Sequence, residues 1–175
     1  MVKRILGIVG SLGTALVFAA VVVRFVADAD EAEEVTQETF LRAWRSIDKF
    51  ELRSQFFTWL YRIGINEAKR RAERRPPAAT VRSIEDTPIE DAPDWSEAPE
   101  LRAEQGQLRR VLEDAVRALP IEYRAPLILR DVEGLSTEQA ADVMELGEAA
   151  FKSRLHRARL AVRRAVDQYY FERGS

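Results

Sequence analysis

From Leu135 to Val162 the chain reads LSTEQAADVMELGEAAFKSRLHRARLAV. Gly134, just before it, is a helix stop. Ser136 is an N-cap residue, and Gln139 follows at the position where a capping box needs an amide to return a hydrogen bond. The pattern predicts a short helix from Thr137 to about Glu145, a tight turn, and a second helix from about Glu148, with Ala141 as the small residue where the two cross. On the second helix Phe151, Leu155, Ala158, Val162 and Val166 share one apolar stripe, which reads as core. Beside it run Lys152, His156, Arg159 and Arg163, and Ser153, Arg154 and Arg157 flank the other side. A helix packed through one face and cationic on the rest suits the major groove of DNA, where Arg and Lys reach guanine edges or phosphates.

The rest of the chain agrees with a binding role. Its 175 residues, 46% of them hydrophobic and 32% charged with a net charge of -2, make one ordinary domain or two small ones. There is no Cys, and His156 is the one imidazole, so a disulfide framework, a zinc cluster and a His-based triad are all excluded. The carboxylates sit in solvated runs with no Gly-rich phosphate loop or nucleophile elbow nearby. No catalytic residue, metal or cofactor is expected.

Charge alternates in blocks. Asp28 to Thr39 holds six acids and no base, and Glu51 to Arg75 seven bases against three acids. Thr80 to Glu104 then has eight acids against two arginines, and Gly147 to Arg173 seven Lys and Arg against three acids. Two basic helical patches separated by an acidic stretch fit two contacts with one polyanion, although charged faces turned to water would give the same pattern. Val35, Phe40, Trp44 and Ile47 recur at near-helical spacing, as do Leu108, Val111, Leu112, Ala115 and Leu119, while no run alternates with period two for long. The expected class is all-α. Pro76 and Pro77 close the first helical block, and the Pro-, Asp-, Glu- and Ser-rich run to Pro99 reads as a linker.

Two segments, DEAEEVTQETFLRAWRSIDKF with SQFFTWLYRIGINEAKRRAERR, and ALPIEYRAPLILRDVEGLS with AFKSRLHRARLAV, resemble regions 2 and 4 of the extracytoplasmic-function sigma factors of bacterial RNA polymerase, in the family's order. The resemblance implies two small helical modules, region 2 over 28–75 and region 4 over 107–171, joined by an acidic flexible linker over 76–106; the apolar segment over 1–27 that precedes them reads from its composition as a core helix or a membrane anchor. The resemblance also implies a protein that binds core RNA polymerase, melts the -10 element through region 2 and binds the -35 duplex through region 4. By position, Asp30, Glu33, Glu34, Gln37, Glu38, Phe40 and Trp44 would dock on polymerase. Phe57, Arg62, Asn66, Lys69 and Arg70 would hold the -10 strand. Lys152, Ser153, Arg154, His156, Arg157 and Arg159 would contact the -35 duplex. Partners would be polymerase, promoter DNA and an anti-sigma factor. The residue types fit, because unpaired bases need stacking platforms beside a basic track, and Phe56, Phe57, Trp59 and Tyr61 lie beside Arg62, Lys69, Arg70 and Arg71. For Phe56, Trp59 and Leu60 core packing is the stronger expectation. The alternative function is a stand-alone helix-turn-helix regulator, membrane-tethered or free.

The chain departs from the family pattern in several places. Glu145 stands where Gly is favoured, Gly147 where a Ser-type cap is usual, and Phe151 where Val or Ile is usual, the last a change that overpacks a small core unless its neighbours adjust. Pro126 predicts a kink or a late helix start. Ile5 to Val23 carries no charge over nineteen residues, with Lys3 and Arg4 before it and Arg24 after. That run is long enough to anchor the chain in the inner membrane, yet a cytoplasmic protein could use it as a helix that completes the region 2 core, packed on Val35, Trp44, Leu60 and Ile63. Ala27, Asp28 and Ala29 also resemble a signal cleavage site, but export would remove the protein from DNA.

Overall fold

A computed structural model of the chain describes residues 29–50, 56–74 and 105–174, together with Ala19, Val22, Arg24, Phe25, Val26 and Ile84. Every element among the described residues is helical: α1 (Ala29–Ser46) with a 3-10 turn (Ile47–Lys49), α2 (Phe56–Glu73), α3 (Gln105–Ala118), α4 (Ile121–Leu127) continuing into a π turn (Ile128–Val132), α5 (Thr137–Val143) and α6 (Glu148–Gly174).

The first module is the antiparallel pair α1 and α2. α1 buries Ala32, Val35, Thr39 and Ala43, a narrow stripe of small side chains that lets α2 come close. Thr39 fits there because its hydroxyl donates to the Val35 carbonyl at 2.6 Å, which satisfies a polar group in the core. From α2 come Leu60, Tyr61, Ile65 and Ala68, and Phe25 meets the Tyr61 ring edge-on at 6.4 Å between centroids. Val22, Phe25 and Val26 are all buried. These described residues of the apolar N-terminal segment therefore belong to the core. Most of the nineteen-residue run read as a core helix or an anchor lies outside the described residues, as do Ala27 and Asp28 of the cleavage-like run. Among the described residues no helix is long and apolar enough to cross a membrane. One residue of the acidic stretch, Ile84, is also buried in the core.

The second module is built around α4, whose Ile121, Tyr123, Ala125 and Leu127 are buried between α6 and the first module. The late start expected from Pro126 does not occur. The helix begins at Ile121 after Pro120, and Pro126 is fully buried inside it. Pro126 has no N–H to offer the carbonyl one turn back, and the ladder then loosens into the π turn, with Glu133 N donating to Ile128 O at 2.9 Å.

Candidate nucleic-acid interface

The helix-turn-helix is capped as its sequence predicts. Ser136 Oγ accepts from Gln139 N at 3.1 Å, and Gln139 Oε1 accepts from Ser136 N at 2.9 Å. Gly134 has φ +70, which turns the chain out of the π turn. α5 ends at Val143, a little earlier than expected, and α6 begins at Glu148. Between them Leu146 N donates to Ala141 O at 3.0 Å, and Glu145 takes φ 57, a left-handed conformation otherwise left to glycine.

On α6 the stripe Phe151, Leu155, Ala158 and Val162 is core, with Phe151 fully buried. Lys152 is exposed and pairs with Glu148 at 3.1 Å. Arg159 is held by both carboxylate oxygens of Asp131, at 3.0 and 2.6 Å, and this bond raises its pKa, so its guanidinium braces α6 to the π turn. Ser153, Arg154, His156 and Arg157 are half-buried. His156 Nε2 and Arg157 Nε are buried without a hydrogen-bond partner among the described residues.

Candidate residues on α2 divide between two edges of the helix. Arg62 and Lys69, two helical turns apart, face the second module. Arg62 Nη2 meets Asp142 of α5 at 2.6 Å. Burial first, and the nearby Arg154 guanidinium of α6 second, push the Lys69 pKa below its ordinary value. On the other edge Asn66 and Arg70 line a cavity of about 330 Å³ with Arg42 and Arg45 of α1. Toward the helix start Phe50, Phe56 and Trp59 form a ring cluster with centroids 5.2 to 5.9 Å apart. Phe57 projects from it, 40% exposed and edge-on to Phe56 at 5.9 Å. Leu60 is fully buried, and Phe56 and Trp59 pack partly against the core.

The outer face of α1 carries Asp30, Glu33, Glu34 and Gln37, all exposed. Trp44 corrects the expectation that it packs on the N-terminal helix: it is 57% exposed and shares this outer face, next to Leu41, which is 49% exposed and which the sequence alone did not single out. Phe40 lies at the edge of the face, partly packed on the core. Glu34 is bound by Arg71 of α2, and Glu38 accepts from Arg42 Nε at 2.8 Å.

Further bonds tie the modules together. Glu133, beyond the π turn, accepts from Tyr61 Oη at 3.1 Å and from Arg24 Nη1 at 2.9 Å, and burial followed by the Glu133 charge raises the Tyr61 pKa. Arg124 is buried. It donates to Leu119 O at 3.0 and 2.6 Å and to Phe25 O at 3.3 Å, and burial lowers its pKa to about 10.

Comparison with known proteins adds a family. Residues 16–76 match the family model described as Sigma-70 region 2, and residues 109–162 that described as Sigma-70, region 4. The chain is 39% identical over 151 residues to the RNA polymerase sigma-H factor of Pseudomonas aeruginosa, covering 83% of this chain and 78% of that protein. It is 36% identical over 149 residues to the ECF RNA polymerase sigma-E factor of Escherichia coli, covering 82% and 78%. Among solved structures it resembles the sigma factor RpoE in complex with the anti-sigma factor NepR from Bartonella quintana, with TM-score 0.64, 23% identity and 94% and 96% of the two chains covered. It also resembles CnrH in complex with the cytosolic domain of CnrY, with TM-score 0.59, 26% identity and coverage of 89% and 82%.

Proposed function

Since the chain belongs to the extracytoplasmic-function sigma factors of the sigma-70 family, we propose how its surfaces divide the work of promoter recognition. It is a transcription initiation factor and not an enzyme: it binds core RNA polymerase and promoter DNA. The outer face of α1, with Asp30, Glu33, Glu34, Gln37 and Glu38 around Leu41 and Trp44, docks on polymerase, an acidic rim about an aromatic anchor. Phe57, Arg62, Asn66, Lys69 and Arg70 of α2 take the unpaired -10 strand. The α5–α6 helix-turn-helix takes the -35 duplex through Lys152, Ser153, Arg154, His156 and Arg157, and Arg159 sets the angle of α6. Residues 28–75 and 107–171 act as the two modules and 76–106 as their linker. The protein works in the cytoplasm. An anti-sigma factor is a further partner, as NepR is for the sigma factor RpoE that the chain resembles.

The single observation that carries this division is the capped helix-turn-helix together with an exposed acidic and aromatic α1, both inside the segments matched to sigma regions. A stand-alone regulator would leave that α1 face without a use. The test is reconstitution. Core polymerase incubated with the chain should initiate at specific promoters, and a failure to co-purify with polymerase would overturn the assignment.

A further inference from the structure

Two ladders of charge face each other between α1 and α2. On α1, Glu34, Glu38 and Arg42 succeed each other one helical turn apart, and on α2 Glu67 and Arg71 do the same. The helices are antiparallel, so Arg71 comes opposite Glu34 and Glu67 opposite Arg42. Arg71 binds Glu34, a bond that raises the Arg71 pKa, and Arg42 Nε donates to Glu38 Oε1 at 2.8 Å. Two acids of the proposed polymerase face are thus already held by arginines of the chain itself.

Glu67 lies beneath both pairs. It is 7% exposed, with Oε2 3.2 Å from Arg42 Nε and 3.5 Å from Arg70 Nη1, and Oε1 4.0 Å from Arg71 Nε. These contacts are ionic without being aligned, because Glu67 Oε2 and Arg71 Nε are both buried and have no hydrogen-bond partner among the described residues. An acceptor and a donor therefore stand unused side by side, below two arginines that are committed elsewhere. A desolvated charge left without a partner is costly, so a guanidinium gives up one carboxylate readily only where a second is at hand. Glu67 is that second carboxylate for Arg42 and for Arg71.

Given the polymerase-docking role of α1, on which it rests, we infer that Glu67 is a positioning residue for that docking: it receives Arg71 and Arg42 when basic groups of polymerase take Glu34 and Glu38. The exchange then strands no guanidinium, and the acids reach the partner with their charge available. Glu67 itself touches no partner and acts through the two arginines. If the ladders only stapled α1 to α2, no residue in them could be removed with a gain in binding. A hand-over gives opposite signs instead. The arginines compete with polymerase for the acids, and Glu67 competes with the acids for the arginines.

The test is competition for core polymerase between the full chain and its variants. Arg71→Gln should bind about 3-fold tighter, because Glu34 is released to the partner, whereas Glu67→Gln should bind about 3- to 10-fold weaker, the range of one or two partly exposed charge pairs. In a chain already carrying Glu34→Gln and Glu38→Gln, Glu67→Gln should have no further effect. Arg109→Gln, which makes the same charge change as Arg71→Gln on the exposed face of α3, should leave the affinity unchanged. Unchanged or weaker binding by Arg71→Gln, or an equal loss from Glu67→Gln in both backgrounds, would reduce Glu67 to a staple between the helices. The sign of the Arg71→Gln effect decides the matter even if Glu67→Gln does not fold. The docking role of α1 is checked separately by Glu34→Lys with Glu38→Lys. Normal affinity in that double variant would remove the docking face and the hand-over with it, while a loss there beside weaker binding by Arg71→Gln would overturn the hand-over alone.

Discussion

At Glu145 the backbone adopts φ 57, where the Cβ of an L-residue crowds the following carbonyl at a cost of about 1 to 2 kcal/mol. Glycine carries no such cost, although it adds freedom to the unfolded chain, so Glu145→Gly should raise stability by about 1 kcal/mol, seen as a higher denaturant midpoint with an unchanged slope. The sequence already marked this turn as unusual. What it did not contain was the sign of φ, which follows from how tightly α5 and α6 are joined. Phe151 teaches the reverse. Set against the Val or Ile usual in the family it threatened to overpack a small core, yet it is fully buried in a cluster supplied with Ala140, Ala141 and Ala158. Its truncation to Ala should therefore cost about 3 to 5 kcal/mol in chemical denaturation, as expected of a filled site.

Among whole elements, α1 shows where periodicity misleads. Phe40 and Trp44 fall one helical turn apart and read as a packing stripe, because large aromatics are usually buried. The buried stripe is instead Ala32, Val35, Thr39 and Ala43, small residues chosen for close approach, and Trp44 is left to the outer face. Trp44→Ala should weaken binding to core polymerase by about 2 kcal/mol or more, measured by competition for core enzyme, with helicity by circular dichroism unchanged. Stability comparable to the parent with normal polymerase affinity would remove Trp44 from that surface. α5 and α6, by contrast, were readable almost to the residue. Capping boxes and apolar stripes are local signals, and they depend on neighbours within a few positions. On α6, Arg154→Ala should cost about 1 to 3 kcal/mol of promoter discrimination if Arg154 meets a base, read from relative affinities for matched and mismatched -35 duplexes.

The whole molecule holds what no local pattern could announce: its modules pack face to face, with Arg62 of α2 paired to Asp142 of α5 and Lys69 desolvated close to Arg154. Each such pair joins residues far apart in sequence, so only the assembled fold brings them together. Arg62 and Lys69 of the proposed -10 set and Arg154 of the proposed -35 set meet at this seam, so if both promoter elements are held at once through these residues the seam must part. Asp142→Arg, which sets like charges opposite Arg62, should enlarge the radius of gyration in small-angle scattering without loss of helix, and an unchanged profile would show the seam to be held by other contacts. The seam should also respond to pH. The packed form lowers the Lys69 pKa and so binds fewer protons than a form with Lys69 in water; packing therefore gains stability as pH rises toward the ordinary value of 10.5 and loses it as pH falls through the lowered value. Scattering from Lys69→Met should lose that dependence. Arg124 has a consequence for the protein's lifetime. Its guanidinium reaches across the molecule to the Phe25 carbonyl, so a peptidase that trimmed the chain past Phe25 would remove a core ring and an acceptor for a buried cation in one cut, each worth on the order of 1 to 3 kcal/mol. In a marginally stable protein that raises the unfolded fraction enough for proteases to clear the remainder. The N-terminus would then act as a fuse, and a single nick there would withdraw the factor, and with it the transcription it directs, from the cell.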